Sequence, residues 1–111
     1  MYEVKRNKAT GEFKFVLKAG NGQEILMSES YCTEVGCMNG IASAQLNSQR
    51  EDAFQKKTSS NGKFYFYLKA QNGQIIATSN YYESEAGRDN GIESVKLNGV
   101  SEFVNIESKQ P

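Results

Sequence analysis

Hydrophobic and polar residues alternate in two short stretches of the chain. In FKFVLKA, Phe13, Phe15 and Leu17 fall on one side of an extended backbone and Lys14, Val16 and Lys18 on the other. FYFYLKA repeats the arrangement, with Phe64, Phe66 and Leu68 opposite Tyr65, Tyr67 and Lys69. A period of two in aromatic and branched residues predicts a strand with one buried face. Each stretch leads into Asn-Gly-Gln, at Asn21–Gln23 and Asn72–Gln74. Asn-Gly between apolar runs is the hairpin signal of a type I′ turn, because both residues tolerate positive φ. EILMS and IIATS then form the returning arms. Gly11 and Gly62 suggest a further turn from an earlier strand, Tyr2–Arg6 in one case and Ala53–Lys57 in the other.

The period then changes. From Thr33 to Leu46, Val35, Met38, Ile41 and Ala44 recur every third residue, and Ala86, Ile92 and Val95 follow the same spacing. That is helical spacing. Thr33 and Ser84 suit the N-cap, each followed by a glutamate that favours the positive end of a helix. Asn47 and Asn98 suit the far end, since asparagine tolerates the left-handed conformation found there. SEFVNIES reads as one more strand at Glu102–Ile106.

These elements occur twice because the chain is an internal duplication. Setting Phe13 against Phe64 aligns 35 positions without a gap, of which 19 are identical. The frame Gly-x-x-Asn-Gly-Ile-x-Ser-x-x-Leu-Asn runs through both copies. Its repeated core is Asn39, Gly40, Ile41 and Ser43, matched by Asn90, Gly91, Ile92 and Ser94. An interior helical glycine costs about 1 kcal/mol relative to alanine. Gly36 with Gly40, and Gly87 with Gly91, therefore need an offset, and close backbone approach to a neighbouring element supplies one. A second reading starts the helices only at Asn39 and Asn90, with asparagine as the cap. A phosphate-binding loop fits poorly, because such loops place their glycines directly between strand and helix.

The strand motif, the Asn-Gly-Gln turn and the Asn-Gly-Ile-x-Ser phrase together resemble the YegP-like family of small bacterial proteins, over roughly Tyr2 to Ile106. That resemblance implies strand-strand-strand-helix-strand units that join one antiparallel sheet by exchanging their final strands. It implies no activity, cofactor or catalytic residue. The expected fold is therefore α+β, with two tandem strand-strand-strand-helix units sharing one antiparallel sheet and both helices on one face. A unit of about 50 residues is marginal alone. One domain over residues 1–111 is expected, with repeats over about 2–52 and 53–106.

Composition changes this picture mainly by exclusion. Thirteen basic residues balance thirteen acidic ones, so no overall field draws the chain to nucleic acid or anionic membrane. No apolar run approaches the roughly 20 residues that span a bilayer. With no export signal in the N-terminal residues, the expected address is the cytoplasm. There is no histidine, hence no imidazole base for a nucleophile and no standard catalytic zinc site. Cys32 and Cys37 lie too far apart for a Cys-x-x-Cys redox motif, and their counterparts are Glu83 and Arg88; two reduced, space-filling thiols are expected. Paired carboxylates such as Glu51 with Asp52 read as solvated loop. The expectation is a non-catalytic protein with no cofactor or metal.

If the helices cover one sheet face, the other presents Lys14, Val16, Lys18, Tyr65, Tyr67 and Lys69 as a candidate interaction face. It suits a protein partner or self-association. Two tyrosines among lysines also resemble a platform for single-stranded nucleic acid, and the same tyrosines suit plain cross-strand packing. The sequence reveals architecture more fully than activity.

Overall fold

The computed structural model describes residues 1–106. It is α+β: strands β1 (Tyr2–Arg6), β2 (Phe13–Lys18) and β3 (Glu24–Ser28), helix α1 (Glu34–Asn47), strands β4 (Phe54–Thr58), β5 (Phe64–Lys69) and β6 (Ile75–Ser79), helix α2 (Glu85–Asn98) and strand β7 (Val104–Ile106). All seven strands form one sheet in the order β4-β5-β6-β3-β2-β1-β7.

The two halves meet in the middle, where β3 and β6 pair antiparallel. Met27 faces Thr78, its own counterpart in the duplication, so the register is symmetric about that pair. Both helices lie over the face carrying Phe15, Leu17, Phe66 and Leu68. Ile41, Ala44, Ile92 and Val95 close a single core with these side chains. At the far end the helices nearly touch: a Cβ on Gly99 would lie 2.5 Å from Ser48 Cβ. Tyr2 donates its buried hydroxyl to Gly99 O at 2.7 Å, tying the first strand to the end of the second helix.

Local chemistry explains most boundaries. Thr33 and Ser84 accept from the N–H of Gly36 and Gly87, each at 3.0 Å, so the helices start at Glu34 and Glu85 rather than at Asn39 and Asn90. Ser28 and Ser79 are kept in both copies because each hydroxyl accepts an inner-strand N–H, from Phe15 and Phe66, at 2.9 Å.

Several expectations are corrected. β7 pairs with β1 in parallel, so the sheet is mixed at that edge. The final strand of the second unit thus crosses to the first unit, as the family resemblance implied. No strand among the described residues lies outside β4 in return, so the exchange is one-sided. The helix ends carry no left-handed residue: Ser48 and Gly99 have φ near −60° and −67°. Asn47 and Asn98 instead donate to the carbonyls of Ser43 and Ser94, each at 2.8 Å. The Asn-Gly-Gln turns are not type I′, because only Gly22 and Gly73 have positive φ there. They are three-residue loops with a glycine bulge, closed by Ala19 N to Gln23 O and Ala70 N to Gln74 O. Val35 is 71% exposed; steps of three drift by about 60° each on a helix, which puts Val35 opposite Ala44. Cys37 is buried, but Cys32 precedes α1 and is exposed, so it fills no space; both thiols are free.

Candidate interaction surface

The sheet face opposite the helices is built by strand alternation. Cross-strand register places Glu3, Val16, Met27, Thr78, Tyr67 and Gln55 in one row across it. Lys5 faces Lys14 and Lys57 faces Tyr65 in the flanking rows. Lys69 ends β5 on the same side as Tyr65 and Tyr67.

Val16 does not present itself as expected. It is only 1% exposed, because Glu3 and Met27 flank it cross-strand and the ion-paired side chains of Lys5, Lys18 and Glu3 crowd around it. Met27, 47% exposed, is the apolar surface that the sequence reasoning missed. It also missed Tyr81, 66% exposed, which packs against Tyr65 with ring centroids 5.2 Å apart. The signal lay in the alignment of the copies, where Tyr81 stands against Ser30.

Tyr65 and Tyr67 are half-buried and meet edge to face, with centroids 5.5 Å apart and planes at 86°. The hydrogen bond to Tyr67 pushes the Tyr65 hydroxyl above its ordinary range, with burial adding to it. Lys5 is bonded to Glu24 at 2.9 Å, and Lys18 lies 3.4 Å from Glu3. Lys14, Lys57 and Lys69 form no ion pair among the described residues. The face is therefore locally positive although the chain is neutral.

The repeated phrase lies elsewhere, on the helices. Gly40 and Gly91 are buried under Tyr31 and Tyr82: a Cβ would lie 2.6 Å and 2.7 Å from the respective Cζ atoms. The offset for these glycines is thus a tyrosine ring rather than a strand or helix backbone. Ile41 and Ile92 enter the core. Ser43 and Ser94 receive the asparagines that end the helices. Asn39 and Asn90 are exposed.

Among the described residues no group of three or more Cys, Asp or Glu side chains is arranged to hold a metal. Nor is any helix among them long and apolar enough to cross a membrane.

The duplication seen in the sheet is also what relates this chain to other proteins. The model of the Domain of unknown function (DUF1508) matches it twice, over residues 8–54 and 59–104. UPF0339 protein YegP of Escherichia coli K12 is 54% identical over 93 residues, 84% of each chain. The chain belongs to the UPF0339 (YegP) family. A UPF0339 protein of Shewanella oneidensis is 54% identical over 98 residues, 88% of each chain. The solution NMR structure of a UPF0339 protein from that organism superposes with a TM-score of 0.89 at 50% identity, covering 95% of this chain and 88% of the other. That of E. coli YegP, described as a protein of unknown function, gives 0.89 at 48% identity, covering 96% and 90%. The family has no assigned function, and the two relatives of solved structure share the fold described above.

Proposed function

We propose that the protein is a non-catalytic binding module, a single domain of two repeats (2–52 and 53–106), whose working surface is the open sheet face. The observation that carries this reading is the strip of Tyr65, Tyr67, Tyr81 and Met27 left uncovered beside Lys14, Lys57 and Lys69. Tyrosine and methionine are enriched at protein interfaces, tyrosine because it gives a large contact area at low entropic cost and methionine because it adapts its shape. The absence of histidine from the sequence supports a non-catalytic role. A cytoplasmic address belongs to the same proposal and is checked by cell fractionation.

A protein partner is favoured over single-stranded nucleic acid. The unpaired lysines would suit a phosphate backbone. However, the edge-to-face rings of Tyr65 and Tyr67 present no parallel pair on which successive bases could stack.

Affinity capture from bacterial lysate tests the reading. Wild type and a helix-surface control, Leu46→Ser with Leu97→Ser, should retain the same partner. Tyr65→Ser, Tyr67→Ser and Met27→Ser together should lose it. Loss on the helix-surface variant instead would reject the open face. Nuclease-sensitive capture with a steep salt dependence would favour nucleic acid.

A further inference from the structure

The two halves of the open face differ where the rest of the fold agrees. Tyr65, Tyr67 and Tyr81 in the second unit correspond to Lys14, Val16 and Ser30 in the first. In the second unit the three rings pack edge to face and fill the space above the sheet. In the first, the smaller side chains leave a hollow of about 270 Å³ lined by Lys5, Arg6, Lys14, Val16, Met27 and Ser30. Arg6 is also particular to this half: it occupies the last position of β1, where β4 has Thr58.

The chemistry of the hollow follows from its walls. Lys5 is already bonded to Glu24. Arg6 and Lys14 are exposed and form no ion pair among the described residues. Glu12 contributes one opposing charge to the wall, which leaves the hollow cationic. Met27 gives it an apolar surface, with Val16 buried beneath. Asn7 and Thr10 hold the adjoining turn, where Asn7 Oδ1 accepts from Ala9 N at 2.9 Å and Thr10 Oγ1 from Glu12 N at 3.2 Å.

We propose that this hollow is an anion-binding site for a small ligand carrying a phosphate or carboxylate on a short apolar body. Lys14 on the open face supplies a mobile point charge, and Arg6, which ends β1 opposite Phe13 and borders the hollow from there, adds a planar fork that matches either oxyanion. Met27 adapts its shape to the apolar part. The volume lies just below the roughly 300–1,000 Å³ usual for ligand pockets, which favours a ligand of one ring over a nucleotide. The proposal rests on the open face being the working surface, and it names the ligand class for the first unit's half of that face.

The test is an NMR titration of the full chain at constant ionic strength with phenyl phosphate, benzoate and neutral benzyl alcohol. At least one anion should shift the amides of Lys5, Lys14 and Met27 saturably, with a Kd of about 1 mM or tighter. Whichever anion binds more tightly identifies the head group. Arg6→Ala with Lys14→Ala should weaken binding at least about tenfold, the scale expected for lost charge-assisted hydrogen bonds. Lys14→Tyr with Val16→Tyr and Ser30→Tyr copies the second unit's ring cluster into the first and should abolish binding. Should that variant not fold, the Arg6/Lys14 pair decides alone. No saturable shift at about 10 mM ligand would overturn the site. So would equal binding of benzyl alcohol, or indifference to the Arg6/Lys14 substitutions. If the hollow fails while loss of the tyrosine strip still abolishes capture, only this proposal falls. If capture ignores the face but the hollow titrates as described, the site stands and the partner reading falls.

Discussion

An alanine at position 40 would set its Cβ 2.6 Å from Tyr31 Cζ and 3.2 Å from Phe15 Cε2, both parts of rings held in the packing. The helix would gain about 1 kcal/mol in propensity, but overpacking typically costs about 1–3 kcal/mol. Gly40→Ala should therefore give a net loss of stability in urea unfolding, and the loss should shrink in a Tyr31→Ala background. A gain in stability would reject the ring contact as the reason for glycine. The thiols make a second residue-scale case. Burial, with Glu34 adding to it, pushes the Cys37 thiol from 9.0 up to about 11. Between those values the unfolded thiol has released its proton while the folded one keeps it, so stability is full below pH 9 and falls as pH rises toward 11. Cys37→Ala should flatten that part of the stability curve. One thiol, Cys32, should react with Ellman's reagent in the native protein, and two should react in denaturant. That the glycines at 40 and 91 mark a close approach was legible in the sequence. That a tyrosine from the preceding loop makes the approach was not, because a ring's direction is set by packing.

At the scale of elements, the two edges of the sheet are treated differently. β1 is covered by β7, and the side chains of Tyr2 and Val4 are fully buried. Register puts Phe54 and Lys56 of β4 at the matching positions. Lys56 is exposed there and lies 3.0 Å from Asp89. A lysine in the middle of an edge strand is a standard defence against pairing with another chain. Lys56→Val restores the residue of the first unit and should leave β4 able to accept a strand from a second molecule. Sedimentation velocity should then show stronger concentration-dependent association than wild type; a variant that sediments as wild type does would reject Lys56 as the guard. The strands were readable from alternation in residues 13–18 and 64–69, and the helix starts from Thr33 and Ser84. The helix ends and turn types were not legible, because asparagine serves equally as a left-handed residue and as a side-chain donor or acceptor. At 47 and 98 it is a donor to Ser43 and Ser94; at 21 and 72 it accepts the N–H of Gln23 and Gln74.

For the whole molecule, neither unit owns its core. α1 packs on β2, β5 and β6, while α2 packs on β5, β2 and β3. Gln49 donates to Lys96 O at 2.7 Å and Gln45 to Ser101 O at 2.8 Å, holding the second unit and its last strand to the first. Urea unfolding should show one transition for the full chain. A chain ending at Ser101 should unfold at lower urea, because β1 loses its parallel partner and Val104 and Ile106 leave the core they pack against. Two separate transitions would reject the shared domain. The sequence by itself determined the duplication, the order of its elements and which strand face is apolar, because alternation and spacing act within a few residues of each other. Only the tertiary structure decided the parallel docking of β7, the burial of Val16 and the contrast between a ring cluster in one half and a cationic hollow in the other. Those depend on which side chains meet across strands far apart in the chain, and no local period encodes that.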